Sequence, residues 1–199
     1  MKSSVCVSGP HGGGKTYMID YLLADDRFVS PSVDIDFLSE FASFRVLEDW
    51  ERSLLRLYHR IIMSQLVEPV SGRCVLVSRG IADSEAYIEA YARLGWISGQ
   101  QYKRLRQIID NLPIRPTTLL LLPDLNLNQQ RLTGRIAQHV RGDRDKVFHR
   151  EDQPEFLAAL HQAFAELADR PEVFTIGDNE GPALDEAIGW LLDAPGHAA

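Results

Sequence analysis

The sequence has few cysteines, an excess of acidic residues and no long apolar run. Only two of its 199 residues are cysteine, and Cys6 and Cys74 both lie in β-type runs, so we expect buried thiols rather than a disulfide. With 28 acidic against 21 basic residues, general nucleic-acid binding is disfavoured, because phosphate contacts need clustered Lys and Arg. No stretch approaches the ~20 apolar residues of a membrane span, and no signal peptide is evident. We therefore expect a cytoplasmic protein without a membrane partner.

Other signatures are missing as well. The six histidines show no metal-ligand spacing, and no Cys/His cluster indicates zinc. The sequence contains no Asn-Lys-x-Asp segment of the kind that reads guanine, which disfavours a GTPase. It also has no repeat, low-complexity segment or linker. Because 45% of the residues are apolar, we expect one domain over residues 1–199 with a full core.

The most informative stretch runs from Val5 to Thr16. A short β-branched run breaks at Gly9 and gives way to a helical pattern at Lys15, so that Gly9-x-x-x-x-Gly14-Lys15-Thr16 forms the P-loop pattern in a strand-loop-helix context. Glycines let successive backbone N–H groups point at phosphate oxygens, while the lysine reaches the β and γ phosphates and the threonine hydroxyl binds Mg²⁺. The predicted ATP and Mg²⁺ site comprises Gly9, His11, Gly12, Gly13, Gly14, Lys15 and Thr16, with Thr16 as the metal ligand.

Short apolar runs alternate with helical patterns along the rest of the chain. The predicted strands are 5–7, 28–34, 73–78, 117–122 and 173–176, and Pro31 favours an edge position for the second. The predicted helices cover roughly 16–24, 50–67, 83–94, 98–111, 126–139, 154–168 and 184–192. This alternation predicts an α/β fold, a doubly wound five-stranded parallel sheet flanked by helices. Ligands of such sheets bind at the carboxyl ends of the strands.

Polar residues follow two of the predicted strands. Arg79 comes directly after the third strand, where its guanidinium would either hold the end of a second substrate or form an ion pair with Asp34 or Asp36. These two aspartates follow the second strand, and one of them would act as a base or support Mg²⁺, or cap the helix that follows. Tyr87, at helical spacing, would either stack on a bound base or belong to the core.

A basic segment stands out in this acidic chain. Residues 131–150 contain six basic side chains against two aspartates, the basic ones being Arg131, Arg135, Arg141, Arg144, Lys146 and Arg150. Such a segment would form a lid whose guanidinium groups close over a triphosphate and neutralise the charge on a transferred phosphoryl group. The alternative is a solvated helix face with intrahelical ion pairs.

Taken in order, these segments resemble the thymidylate kinase and deoxynucleoside kinase group of P-loop kinases. The similar segments are the phosphate loop Gly9–Thr16, Val75–Arg79 with Ala86-Tyr87, Leu119–Pro123 with Arg131 and Arg135, the lid end at Arg141–Arg144, and Val173–Ile176. The resemblance implies phosphorylation of a nucleoside, nucleotide or similar acceptor by Mg²⁺-ATP, and it suggests a homodimer.

The resemblance also implies roles for individual residues. Arg79 and Tyr87 would contact the acceptor, and Asp34 or Asp36 would orient its hydroxyl. Arg56 or Arg60 would serve on the base-reading helix, and the lid arginines Arg135, Arg141 and Arg144 would assist transfer.

The departures from the group's pattern all fall on the acceptor side. Ser78 stands where the group has an acid before the strand-end arginine, Ile88 replaces the usual Gln after Ala-Tyr, and Val33–Asp36 replaces an Arg-Glu-Pro type segment. Two alternatives therefore stay open. One is a kinase acting on a nucleic-acid end or a modified base, and the other is a non-catalytic ATP-binding regulator.

Overall fold

Five parallel strands form the centre of the molecule. A computed structural model describes residues 1–31, 47–137, 150–177 and 180–193, with the backbone alone for 135–137. The strands are β1 Ser4–Ser8, β2 Phe28–Val29, β3 Cys74–Ser78, β4 Thr118–Leu121 and β5 Val173–Ile176. They lie in the order β2-β3-β1-β4-β5, and all neighbours pair parallel. The predicted sheet and the edge position of β2 are both confirmed.

The described residues form seven helices that connect and cover these strands. They are α1 Lys15–Leu23, α2 Asp49–Leu66, α3 Ile81–Arg93, α4 Gly99–Asp110, α5 Leu125–Ala137, α6 Pro154–Ala165 and α7 Gly181–Leu192. None of these helices has the length and apolarity that crossing a bilayer requires.

The register places the end of β1 between two other strand ends. Val7 is opposite Ser78 of β3, and Ser8 is opposite Leu120 of β4. The phosphate loop therefore leaves the sheet at its centre, with Arg79 on one side and the segment after β4 on the other. This is the crevice that the topology of a doubly wound sheet provides for ligands.

Two apolar layers cover the sheet. On one face α1 and α7 pack Met18, Leu22 and Leu191 against the strands. On the other face α2, α3, α4 and α6 form a larger cluster in which Tyr91, Trp96 and Phe156 stack, with ring centroids 5.2–5.6 Å apart. Strands buried on both faces explain the near-continuous apolar runs of β3 and β4 in the sequence.

Both cysteines are buried free thiols, as expected. Cys6 on β1 is 4% exposed and Cys74 on β3 is fully buried. Burial raises the pKa of Cys6 to about 12 and that of Cys74 to about 11.

Two boundaries differ from the sequence prediction. The third helix begins at Ile81 rather than near residue 83, because Gly80 is the N-cap and the Asp83 carboxylate reaches back to accept the Gly80 backbone N–H at 2.9 Å. β2 ends at Val29 rather than Asp34, and residues 32–46, which include Asp34 and Asp36, lie outside the described part of the chain.

A buried glutamate ties α3 to three other segments. Glu85 is 2% exposed and accepts hydrogen bonds from Arg106 of α4, from Arg115 before β4 at 2.8 Å, and from Arg170 before β5 at 2.7 Å. Burial opposes its ionisation, but the Arg170 and Arg106 guanidinium groups hold the pKa of Glu85 at about 2.

We expect Glu85→Gln to lower the free energy of unfolding by about 2 kcal/mol at pH 7, since three guanidinium groups lose their shared carboxylate while remaining a quarter exposed. Because the folded-state pKa is depressed, the stabilisation is complete above pH 4.5 and is lost as the pH falls towards 2. Urea unfolding at several pH values measures this difference. Glu186→Gln, on the exposed face of α7, is the matched control and should change stability by less than ~0.5 kcal/mol. Equal losses in the two variants would contradict the role given to Glu85.

Candidate active site

The phosphate loop is wedged between β4 and α5. Gly9 has φ +146°, and a Cβ there would lie 2.3 Å from the carbonyl oxygen of Leu121. Gly12 has φ +75°, and a Cβ there would lie 2.8 Å from the carbonyl oxygen of Asn128. Side chains would clash at both positions, so the glycines are what allow the loop to curl against its neighbours.

The lysine and threonine of the motif take up complementary positions. Lys15 is 9% exposed, and its ammonium donates to the carbonyl oxygens of Gly9 at 2.7 Å and Pro10 at 2.8 Å. Thr16 is exposed in the first turn of α1, and the N–H of Met18 bonds to the carbonyl of Gly14. The curled loop, a cation beside it and an accessible hydroxyl at a helix N-terminus fit a nucleoside triphosphate and its Mg²⁺.

Two arginines of α2 point towards α3. Arg56 donates to the hydroxyl of Tyr91 at 3.1 Å and lies 3.3 Å from a carboxylate oxygen of Glu151. Arg60 donates to the hydroxyl of Ser84 at 2.7 Å, and no carboxylate of the described residues lies within ion-pair distance of it. Burial lowers the pKa of Arg60 to about 10.

Arg79 has an uncommon backbone conformation. Its φ is +65°, the only positive φ of a non-glycine residue in the described part of the chain. Its N–H bonds to the carbonyl of Val7 at 3.0 Å, and its guanidinium lies 3.3 Å from the carboxylate of Asp83. Among the described residues its ion-pair partner is therefore Asp83; Asp34 and Asp36, the partners that the sequence suggested, lie outside them. Backbone strain of this kind is concentrated at functional sites.

A polar network joins the phosphate loop to α3. The imidazole Nε2 of His11 lies 2.5 Å from the Tyr87 hydroxyl and 3.6 Å from the Glu151 carboxylate. The hydroxyl of Tyr91 donates to Glu151. Burial alone would raise the pKa of Glu151, but Arg56, His11 and Tyr91 outweigh it and hold that pKa at about 2. The ring of Tyr87 packs in the core against Phe156, so Tyr87 is at once a core residue and a site residue.

The structure brings together seven of the predicted site residues outside the glycines at the carboxyl edge of the sheet, namely His11, Lys15, Thr16, Arg56, Arg60, Arg79 and Tyr87. Asp34, Asp36, Arg141 and Arg144 lie outside the described residues, and Arg135 is described only as part of the α5 backbone. Their roles stay predictions.

Sequence reasoning missed Asp83 and Glu151 as site residues. Tyr91 follows Tyr87 at helical spacing, which leaves a core role and stacking on a base as alternatives, and the structure buries it fully beside Glu151. Asp83 lies at the predicted start of the same helix and is also fully buried. Glu151 is 5% exposed. Its signal in the sequence is weak, because it is simply an acidic residue directly after Arg150, at the end of the basic segment.

No sequence-family model matches the chain, and no curated protein matches it in sequence. Solved structures do match. Deoxyadenosine kinase from M. mycoides with bound dATP is 14% identical, with 98% of this chain and 100% of that chain covered and a TM-score of 0.66. The same enzyme with dCMP and dCDP gives a TM-score of 0.67 at 12% identity, covering 94% and 97%. Thymidylate kinase from Candida albicans is 19% identical, covering 96% and 89%, with a TM-score of 0.66.

The chain has the fold of these nucleoside and nucleotide kinases. The resemblance inferred from short motifs is thus confirmed at the level of the fold, over nearly the whole chain. Within this fold, the close approach of α3 to β1 depends on Gly80, because a Cβ there would lie 2.7 Å from Cβ and 2.8 Å from Sγ of Cys6.

We expect Gly80→Ala to lower the free energy of unfolding by about 1–3 kcal/mol, since α3 must move away from β1 to admit the methyl group. Gly189→Ala is the matched control. Gly189 lies inside α7 with open space around its Cβ direction, so alanine there should stabilise the helix by up to about 1 kcal/mol. Chemical denaturation of both variants measures the difference, and Gly80→Ala as stable as the parent would show that α3 does not press on Cys6.

We expect His11 to be neutral at pH 7. Burial, reinforced by the nearby cations Arg79 and Lys15, lowers the pKa of His11, and Glu151 opposes this only in part. An NMR titration of the imidazole protons should show a midpoint below 6.5 that disappears in His11→Gln. With a depressed folded-state pKa, protonation favours unfolding, so stability should fall as the pH drops below 6.5. A midpoint at or above 6.5 would contradict this environment for His11.

Proposed function

We propose that the chain is a P-loop kinase that transfers the γ-phosphoryl group of ATP to a nucleoside or nucleotide acceptor. The observation that carries the proposal is the position of the phosphate loop. The loop and Lys15 lie at the centre of the sheet edge, and the cationic cluster of Arg56, Arg60 and Arg79 faces them from α2 and the end of β3. A donor site and an acceptor site for anionic substrates are thus adjacent. The solved structures with this fold include enzymes named for such reactions.

On the donor side, the backbone N–H groups of the loop and the N-terminus of α1 bind the phosphates. The Lys15 ammonium exchanges its loop carbonyl partners for β and γ phosphate oxygens. The Thr16 hydroxyl would hold Mg²⁺, which would neutralise part of the triphosphate charge. In the transfer a bond forms between an acceptor oxygen and the γ phosphorus, and the bond from that phosphorus to the bridging oxygen breaks, leaving ADP.

On the acceptor side, positioning and charge stabilisation are most of what the transfer demands. Arg79 holds the reacting end of the acceptor, and Tyr87 and Glu151 border the pocket. On its charge alone we assign the basic segment 131–150 the role of a lid in which Arg135, Arg141 and Arg144 assist the transfer; residues 138–149 lie outside the described part of the chain. Asp34 or Asp36 orients the acceptor.

Two observations favour a nucleoside monophosphate as the acceptor over a neutral nucleoside. First, Arg60 is partly buried and donates to a hydroxyl, while Asp83 attracts it only from beyond ion-pair distance, so a phosphate would be its first direct anionic partner among the described residues. Second, Asp83 and Glu151 are both held in their charged forms by arginines, so they are poor proton acceptors. A phosphate oxygen is already ionised at neutral pH and needs no base.

We expect Lys15→Ala to lower kcat by about 10³-fold or more, because the γ phosphoryl group loses its mobile cation. The circular dichroism spectrum should match that of the parent, and the unfolding transition should stay cooperative. Lys103→Ala, on the exposed face of α4, is the control and should leave kcat within twofold. If folded Lys15→Ala turned over ATP and acceptor at the parent rate, the donor site would be misassigned.

The acceptor is identified by incubating the protein with Mg²⁺-ATP and separate pools of nucleosides, nucleoside monophosphates and short oligonucleotides. Mass spectrometry then measures the gain of one phosphate, with Lys15→Ala as the control. A diphosphate product supports the monophosphate assignment, and a monophosphate product made from a nucleoside overturns it. Phosphorylated oligonucleotide would favour the nucleic-acid kinase, and ATP binding without any product would favour the regulator.

A further inference from the structure

The third strand ends without a carboxylate. Ser78 is exposed at the last position of β3, directly before Arg79. A carboxylate instead lies one helical turn further on, where Asp83 is fully buried in the first turn of α3. The charge at this edge of the sheet therefore comes from the helix and not from the strand.

Asp83 makes contacts in two directions. One carboxylate oxygen accepts the N–H of Gly80 at 2.9 Å, and the other lies 3.3 Å from the guanidinium of Arg79. The first contact fixes the carboxylate to the start of α3, and the second fixes the arginine to the carboxylate. Asp83 thus links the helix to the residue that holds the acceptor.

The surroundings of Asp83 are cationic. Burial disfavours its charged form, but Arg60, Arg79 and Lys15 together keep its pKa below the ordinary value. Ser8, the last residue of β1, also faces it. The ionised carboxylate of Asp83 is therefore a counter-ion shared by Arg60 of α2, Arg79 at the end of β3 and Lys15 at the phosphate loop. It serves the proposed donor side and the proposed acceptor side together. Without it, three like charges would repel one another within one pocket.

The backbone between β3 and α3 places the Asp83 carboxylate beside Arg79. Gly80 lets α3 begin within van der Waals contact of Cys6, as described above, and the left-handed conformation of Arg79 turns the chain sharply from strand to helix. The strain at Arg79 persists because the hydrogen bond to Val7 and the ion pair with Asp83 hold both of its ends.

We propose that Asp83 is the positioning residue of this site. Its carboxylate holds the Arg79 guanidinium and balances the positive charges of Lys15 and Arg60. It thereby takes the place of an acid at the end of β3. The assignment rests on the proposed kinase function. Asp83 is buried and contacts Arg79 rather than substrate, so its effect passes through the arginine. This accounts for a kinase-like site in which a serine follows the last apolar residue of the strand.

The test compares Asp83→Asn, Ser78→Asp with Asp83→Asn, and Glu85→Gln. Asparagine keeps the size and an oxygen for the Gly80 N–H, while the charge and the oxygen that faces Arg79 are lost. We expect kcat to fall at least 100-fold in Asp83→Asn with the KM for ATP changed less than threefold, because the phosphate loop itself is intact. Restoring a carboxylate in the double variant should recover at least tenfold.

Glu85→Gln separates positioning from stability. It removes a buried carboxylate two residues further along the same helix, in a network that does not touch the phosphate loop. Below its unfolding transition it should keep kcat within threefold of the parent. A loss of kcat in Glu85→Gln equal to that in Asp83→Asn, or a kcat in Asp83→Asn within threefold of the parent, would overturn the proposal.

Crystal structures of the parent and Asp83→Asn give a readout that does not depend on activity. Displacement of the Arg79 guanidinium from its place beside residue 83 supports the positioning role, and an unmoved guanidinium contradicts it. If the parent transfers phosphate to no acceptor in any pool, the proposed function fails, and the position of Arg79 still decides the role of Asp83.

Discussion

The candidate site depends on backbone contacts too close to admit a side chain. Gly9 meets the carbonyl of Leu121, and Gly80 meets the side chain of Cys6. The first contact seats the phosphate loop on the end of β4, and the second presses the start of α3 against β1. Because β1 lies between β3 and β4, both contacts converge on the same short strand. Steric constraint at two glycines thus positions the phosphate loop and the start of α3, and with them Lys15 and Asp83, relative to β1.

Electrostatics then decides what the pocket accepts. The described site concentrates Lys15, Arg56, Arg60 and Arg79 in a protein whose net charge is −7. Its carboxylates, Asp83 and Glu151, serve as counter-ions held by those cations and are unsuited to proton abstraction. A pocket of this kind attracts anions by long-range potential even though the protein as a whole repels them.

The features that could be predicted from the sequence are those determined by residues close together in the chain. The P-loop has fixed residues at fixed spacing, and apolar runs such as 117–122 are long enough to indicate buried parallel strands, so the sheet and the position of the phosphate loop at its edge could be predicted. The pairing of Glu151 with Tyr91 and Arg56 joins residues 60 and 95 positions apart, and nothing in the local sequence of either partner indicates the other. The local pattern places Asp83 only at the start of a helix, whereas its contact with Arg79 depends on the turn that the positive φ of Arg79 creates.

The two cysteines have a consequence for how the molecule opens. Cys6 and Cys74 lie on neighbouring central strands, and their thiols are buried with strongly raised pKa values. Only a thiolate reacts readily with alkylating reagents, so neither residue is reactive while the sheet is closed. The rate at which a reagent labels them therefore measures how often the centre of the sheet separates, and the chain carries its own reporter of that opening.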